Sequence, residues 1–330
     1  MKPLAYQVLR RLANGEFHSG AALAQAIGVS RASVWNAVQE IEAAGVEVFR
    51  IRGRGYRLAR ALSLLDAASL QQWLGESAPF SVDIVDEAES TNTLLQQRAQ
   101  AGAPHASVIV AEWQRAGRGR LSRPWYAGVG GALTFSVLWR FAQGAAALAG
   151  LSLAVGLALV RALETSGVRG AGLKWPNDVL WRGRKIAGIL IEMQGEALGP
   201  SAVVIGVGVN VRLSPALNAR IDQPAADIES ILGAEDEGGV DRNRLLAMLL
   251  NEVNRVLLAF EREGFQPFRE DWQRRHVHQD SEVRLSLPGG RCESGFARGV
   301  ATDGALLLET AHGVRPFHSG DVSVRMAGRA

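Results

Sequence analysis

Apolar positions in the first sixty residues recur at helical spacing and then switch to strict alternation. Leu4, Val8, Leu9 and Leu12 share one helical face, which Asn14-Gly15 ends. Ser19 can cap a second helix, Gly20 to Ile27. After the short turn Gly28-Val29, Ser30 can cap a third, Arg31 to Ala44, with Val34, Val38 and Ile41 on one side. Val46 to Ile51 alternates like a strand, Arg52-Gly53-Arg54-Gly55 turns, and Tyr56-Arg57-Leu58 returns. Two helices joined by a glycine turn and followed by a basic hairpin predict a winged helix-turn-helix over residues 1–62, with the third helix as the reading element.

Beyond a linker at Arg60 to Ser63, the pattern mixes both periods. Leu64 to Leu74 reads as a short helix, Val82 to Val85 as a strand, Leu94 to Gln100 as a helix, and Ser107 to Glu112 and Gly130 to Trp139 as strands. Ala145 to Glu164 reads as one helix. Leu173 to Ile191 reads as strand, break at Pro176-Asn177, and a hairpin turning at Arg182-Gly183-Arg184. Ser201 to Val211 is a buried strand, and Asp227 to Leu232 a short helix. Leu245 to Glu263 is an amphipathic helix, followed by a second helix over Phe265 to Arg275. From His276 onward short alternating runs broken by glycine predict a small β-barrel.

Composition narrows the picture. The 330 residues are 47% hydrophobic and 21% charged, enough for two or three folded domains. One cysteine, Cys292, excludes an internal disulfide framework and a cysteine-based zinc cluster, which fits a reducing cytoplasm. Met1 to Ala13 lacks the apolar core of a signal peptide. Ala145 to Val160 is slightly short for a membrane span and reads as a core helix instead. Residues 1–60 hold nine basic and four acidic side chains, whereas the whole chain carries only +3. The basic excess therefore belongs to the winged unit, which favours a polyanion there over a protein partner. Arg52 and Arg54 would meet phosphate, and Ser30, Arg31, Ser33 and Asn36 would reach base edges.

The candidate chemistry lies in the middle. Of 36 basic residues only Lys2, Lys174 and Lys185 are lysine, and two of them flank one hairpin. Lysine is a compact point charge that arginine does not imitate in a tight site, so the pair points to an anionic ligand; two surface lysines are the alternative. Residues 115 to 125 hold four arginines and two glycines, a composition suited to gripping phosphate, although the Walker ending is missing. A solvated basic loop is the bland reading. Ser90-Thr91-Asn92 follows a strand and precedes a helix, where such residues cap the helix or bond a small polar ring. His276, His278, His312 and His318 lack metal-ligand spacing and read as solvated or structural.

Taken in order, Ser90-Thr91-Asn92, GRGRLSRPW, KWPND, RKIAGIL and IGVGVN resemble the biotin–protein ligases. With the helix-turn-helix, the chain resembles the bifunctional class that is both ligase and repressor of the biotin operon. The resemblance spans essentially the whole chain and implies an α+β organisation. A winged helix would be followed by a mixed-sheet α/β catalytic domain over 63–275 and an SH3-like β-barrel over 276–330. It implies ATP and biotin as reactants, with Mg2+ accompanying ATP, and a two-step reaction through biotinyl-5′-adenylate. It implies three partners: the biotin carboxyl-carrier domain of acetyl-CoA carboxylase, operator DNA and a ligand-promoted second copy of the chain. No membrane is implied.

By the same resemblance Lys174, Arg118 and Arg120 are catalytic. Ser90, Thr91, Asn92, Gln114, Gly119 and Gly188 join them around biotin. Arg118, Arg123, Trp125, Asn177, Lys185 and Asn210 hold the nucleotide. Two departures stand out. Ser122 occupies a position where the family's arginine loop often has glycine. Asp222-Gln223-Pro224-Ala225 has no aromatic where some members pack one on adenine. A ligand sensor on an inactive ligase fold and a lipoate-type ligase are the competing readings; Lys174 and the arginine loop oppose the first, the helix-turn-helix and GRGR the second.

Overall fold

The computed structural model describes all residues except 76–77, 196–199, 235–238, 321 and 327–330. Helices α1 (Pro3–Leu12), α2 (Gly20–Ile27) and α3 (Arg31–Ala43) pack around Val8, Leu9, Leu12, Leu23, Val34, Val38 and Ile41. Ser19 and Ser30 cap α2 and α3 by accepting from Ala22 N and Ser33 N. The wing is the antiparallel pair β1 (Val48–Ile51) and β2 (Gly55–Leu58). Leu62 and Val129 belong to the same core, so this unit is clipped to the next.

After α4 (Ala67–Trp73) come β3 (Ser81–Ala88), α5 (Thr91–Gln100) and β4 (Ser107–Gln114). The short pair β5 (Gly117–Arg118) and β6 (Pro124–Trp125) precedes β7 (Ala132–Phe141) and α6 (Leu151–Thr165). Then follow β8 (Ala171–Lys174), β9 (Asp178–Trp181), β10 (Arg184–Gly195), β11 (Ser201–Asn210), α7 (Pro215–Asn218), α8 (Ile228–Leu232), α9 (Arg242–Glu263) and α10 (Arg269–Arg274). The main sheet runs β3-β4-β7-β11-β10-β9-β8, with β3 and β4 parallel and the other ladders antiparallel. The apolar faces of α6 and α9 build the principal core on one side, while Leu95 of α5 meets Ile109, Leu138 and Val204 on the other. Arg182 and Gly183 both take positive φ (48° and 77°), which a two-residue turn between β9 and β10 requires.

The C-terminal part is a five-stranded antiparallel sheet, β12 (Glu282–Ser286), β13 (Cys292–Val300), β14 (Leu306–Thr310), β15 (Gly313–Phe317) and β16 (Ser323–Met326), ordered β15-β14-β13-β12-β16. Val283, Leu285, Ala297 and Leu308 continue the principal core without a gap.

Two expectations need correcting. The stretch from Ala145 is not one helix: a 3₁₀ turn at Ala145–Leu148 stops, and Gly150, at φ 81° with Phe265 packed against it, restarts the chain as α6. By composition Ala145–Thr165 could cross a membrane, but 67% of its most apolar window is buried inside the fold. The segment after Gly264 is likewise divided, a 3₁₀ turn at Gln266–Phe268 with Pro267 in it preceding α10.

Of the histidines read as solvated or structural, two are structural. His276 and His278 are buried, not solvated, and stand beside Trp272 and each other. Burial pushes both imidazoles down to about 4, helped at His276 by His278 and at His278 by Lys174. Their ordinary value is near 6.5, so the unfolded chain binds protons first as pH falls. The pair therefore costs nothing above about pH 6.5, and stability drops from there to about pH 4. Replacing His276 by Phe should roughly halve that acid slope in melting temperature. An unchanged slope would mean the pair does not titrate this way.

Candidate functional site

The register of the main sheet places two small rows side by side. Thr134, Gly208, Gly188 and Asp178 line up across four strands, and Ser136, Gly206 and Leu190 line up one step away. The glycines leave a trough, and neighbouring side chains fill part of it. A Cβ on Gly206 would collide with the Asn92 amide, and one on Gly208 would stand 2.5 Å from the Trp125 ring. The glycines of β11 thus seat site side chains on bare backbone.

At one end of the trough lies a buried polar network. Ser90 is the N-cap of α5, which turns Thr91 and Asn92 inward. Gln114 Oε1 accepts from Thr91 N at 2.9 Å and from Thr91 Oγ1 at 3.2 Å. Ser136 Oγ bonds Thr91 Oγ1 at 2.8 Å and Asn92 Oδ1 at 2.6 Å. Asn92 Nδ2 donates to Glu192 at 2.7 Å, and Glu192 also holds Arg118 at 2.8 Å. Ser136 and Glu192 complete this network, and the motif reading missed both.

At the other end cations converge. Lys174 leaves β8 half-buried, with no ion-pair partner among the described residues. Desolvation holds its ammonium below the usual lysine range; Asp178 opposes this, while Lys185, Arg123 and Arg325 add repulsion. Lys185 is paired with Asp178 at 2.6 Å and stands 5.7 Å from the Trp125 ring. Asn177, after the cis Trp175–Pro176 bond, donates to Ile189 O at 2.7 Å.

The arginine loop is folded over these groups. Gly119 N donates to Arg123 O at 2.7 Å, and Leu121 and Ser122 both sit at φ 55°, the region that favours glycine. Arg120 reaches the carbonyls of Ser319, Gly320 and Val322, tying the loop to the C-terminal sheet.

All this encloses one cavity of about 620 Å³. Its walls include Ser90, Thr91, Asn92, Gln114, Arg118, Gly119, Arg120, Arg123, Trp125, Lys174, Asn177, Lys185 and Gly188. Two separated parts of the chain, the arginine loop and Lys174, therefore meet in one space. Asn210 does not line it. Its amide donates to Lys185 O and Ala226 O, and it borders a small adjoining pocket with Trp125 and Tyr126. His278 and residues 322–326 form a wall that no sequence motif announced. No group of three or more His, Cys, Asp or Glu among the described residues could hold a metal ion.

In the winged unit Arg31, Asn36, Arg52 and Arg54 are exposed. Ser30 and Ser33 are spent on each other, Oγ to Oγ at 2.9 Å, and on the cap. Arg54 lies 4.2 Å over the Phe17 ring.

Residues 85–210 match the model of the Biotin/lipoate A/B protein ligase family, residues 5–57 an HTH domain, and residues 278–325 the Biotin protein ligase C terminal domain. The chain is 36% identical over 321 residues to the bifunctional ligase/repressor BirA of Escherichia coli, covering 97% of each chain. It is 30% identical to the Bacillus subtilis protein of that name, over 94% of this chain and 95% of the relative. The biotin protein ligase of Aquifex aeolicus, solved in complex with biotin and ATP, superposes with a TM-score of 0.63 at 26% identity, covering 75% of this chain and 99% of that one.

Proposed function

The chain belongs to the biotin protein ligase family, and from that premise we propose how its own residues carry the two activities of a ligase and biotin-responsive repressor. In the first step a biotin carboxylate oxygen attacks the α-phosphorus of ATP, and pyrophosphate leaves. In the second, a lysine amine of the carrier domain of acetyl-CoA carboxylase attacks the acyl carbon of the mixed anhydride; AMP leaves and the amine loses a proton to water. Both steps crowd negative charge, so fixed cations lower their barriers.

The observation that carries this reading is the polarity of the cavity: a hydrogen-bonded donor–acceptor network at one end and, at the other, a cluster of cations in which Lys174 has no carboxylate partner among the described residues. The ureido ring of biotin belongs with Ser90, Thr91, Asn92 and Gln114. Gln114 Oε1 is engaged by Thr91, which leaves its amide N–H groups as donors. The carboxylate then points toward Lys174, with Arg118, Arg120 and the Gly119 amide around it and Gly188 beneath. Arg123, Lys185, Asn177 and Trp125 take the nucleotide, and Asn210 acts indirectly by holding the Lys185 carbonyl. Among the described residues no group of His, Cys, Asp and Glu forms a magnesium cage, so this ion would arrive on the ATP phosphates. The folded arginine loop keeps water from the adenylate.

We further propose a ligand-promoted dimer that brings two winged helices to operator DNA, linking biotin supply to repression. The setting is the cytoplasm. The deciding assay mixes the protein with ATP and either biotin or lipoate, follows pyrophosphate, then adds a carrier domain. Release with biotin and labelling of the carrier is the expected result. No release with either acid would return the sensor reading, and release with lipoate alone the lipoate one.

Gly206→Ala offers a sharper check on the ureido end. The added methyl displaces Asn92 and breaks its bonds to Ser136 and Glu192, so biotin affinity should fall about tenfold or more by calorimetry. Wild-type affinity would detach Asn92 from biotin.

A further inference from the structure

The outward face of α3 carries a large aromatic that the repressor reading leaves unused. Trp35 is 50% exposed, the most exposed tryptophan of the chain. It takes part in no ring stacking, and its indole N–H has no partner among the described residues. The buried stripe of α3 is Val34, Ala37, Val38 and Ile41. Trp35 therefore stands with Arg31, Ala32 and Asn36 on the side turned away from the core. Side chains of a helix lean toward its N-terminus, which brings the Trp35 ring over the turn of Arg31 and Ala32. That is the end of a reading helix that enters the groove. Ala32 has no bulk to hold the helix away from DNA.

We infer that Trp35 is a specificity-determining residue for DNA, packing its ring on thymine methyl groups in the major groove of the operator. The inference rests on the repressor reading above. An indole half in water forfeits the burial of its apolar face, and among major-groove edges only the thymine methyl offers an apolar partner. The surroundings fit the same occupant. Arg31 lies on the same exposed face, and Arg52 and Arg54 sit at the wing tip of a unit with nine basic and four acidic residues, so phosphate would bring the duplex onto this surface. Ser30 and Ser33 have their hydroxyls committed to the cap, which leaves the helix with few free polar readers.

The test uses the full chain with biotin and ATP. Tight-binding duplexes are selected from a random pool, and each conserved thymine is then replaced by uracil, which removes only the methyl. Wild-type protein should lose about fourfold in affinity per methyl it covers. Trp35→Gln should bind thymine and uracil duplexes alike while its ligase rate and melting temperature stay unchanged. If wild-type protein selects no sequence, the DNA reading itself falls. If it selects a sequence but tolerates uracil at every position, the DNA reading stands and the role of Trp35 is overturned. The uracil series alters no residue, so it decides the matter even where the variant fails to fold.

Discussion

Replacing Lys174 with glutamine should slow adenylate formation by about 10²–10³-fold, the range expected when one fixed charge stabiliser of a transition state is removed. The structure makes this the most exposed point of the proposed mechanism. Lys174 is half-buried, unpaired by any carboxylate among the described residues, and crowded by Lys185, Arg123 and Arg325. Its folded-state pKa is depressed, so folding disfavours its charged form, and the neutral glutamine should not lower the melting temperature. Loss of rate with stability kept is thus the signature. Pyrophosphate release under single-turnover conditions reads the rate, and calorimetric melting reads the fold. A rate within tenfold of wild type would remove Lys174 from the chemistry.

Arg242→Met should be the most destabilising single change away from the cavity. The Arg242 guanidinium is fully buried and pairs with an equally buried Glu112 carboxylate. Arg242 also donates to Ser63 O at 3.0 Å and Ala132 O at 2.7 Å, and Glu112 accepts from Leu65 N at 2.8 Å. Removing one partner leaves a charge stranded in a dry interior, a cost of about 3–5 kcal/mol. In a unit of this size that lowers the melting temperature by about 10 °C. Methionine preserves volume, so the double variant with Glu112→Leu should recover much of the loss. A single variant melting within 2 °C of wild type, roughly 1 kcal/mol or less, would show the pair to be dispensable.

Periodicity made the winged helix readable almost residue by residue, because its core comes from local helical stripes such as Val34, Val38 and Ile41. The scarcity of lysine pointed to positions 174 and 185, and both line the cavity. What stayed hidden depends on strand register. Ser136 looks like one hydroxyl in the apolar run ALTFSVLW, and only its alignment with Gly206 brings it to Thr91 and Asn92. Glu192, Arg242 with Glu112, and the 322–326 wall likewise need partners 47 to 202 residues away, which no local window contains. Ser122 stands where the family's arginine loop often has glycine, and its positive φ supplies the physical reason glycine suits that place.

The tie from Arg120 to carbonyls near residue 320 bears on how the protein is made. A ribosome releases the lysine, the arginine loop and the glycine trough long before residues 322–326 emerge to close the chamber. A nascent chain would hold all the named motifs yet lack a wall, so the reactive anhydride has no sealed compartment until translation has passed the last strand.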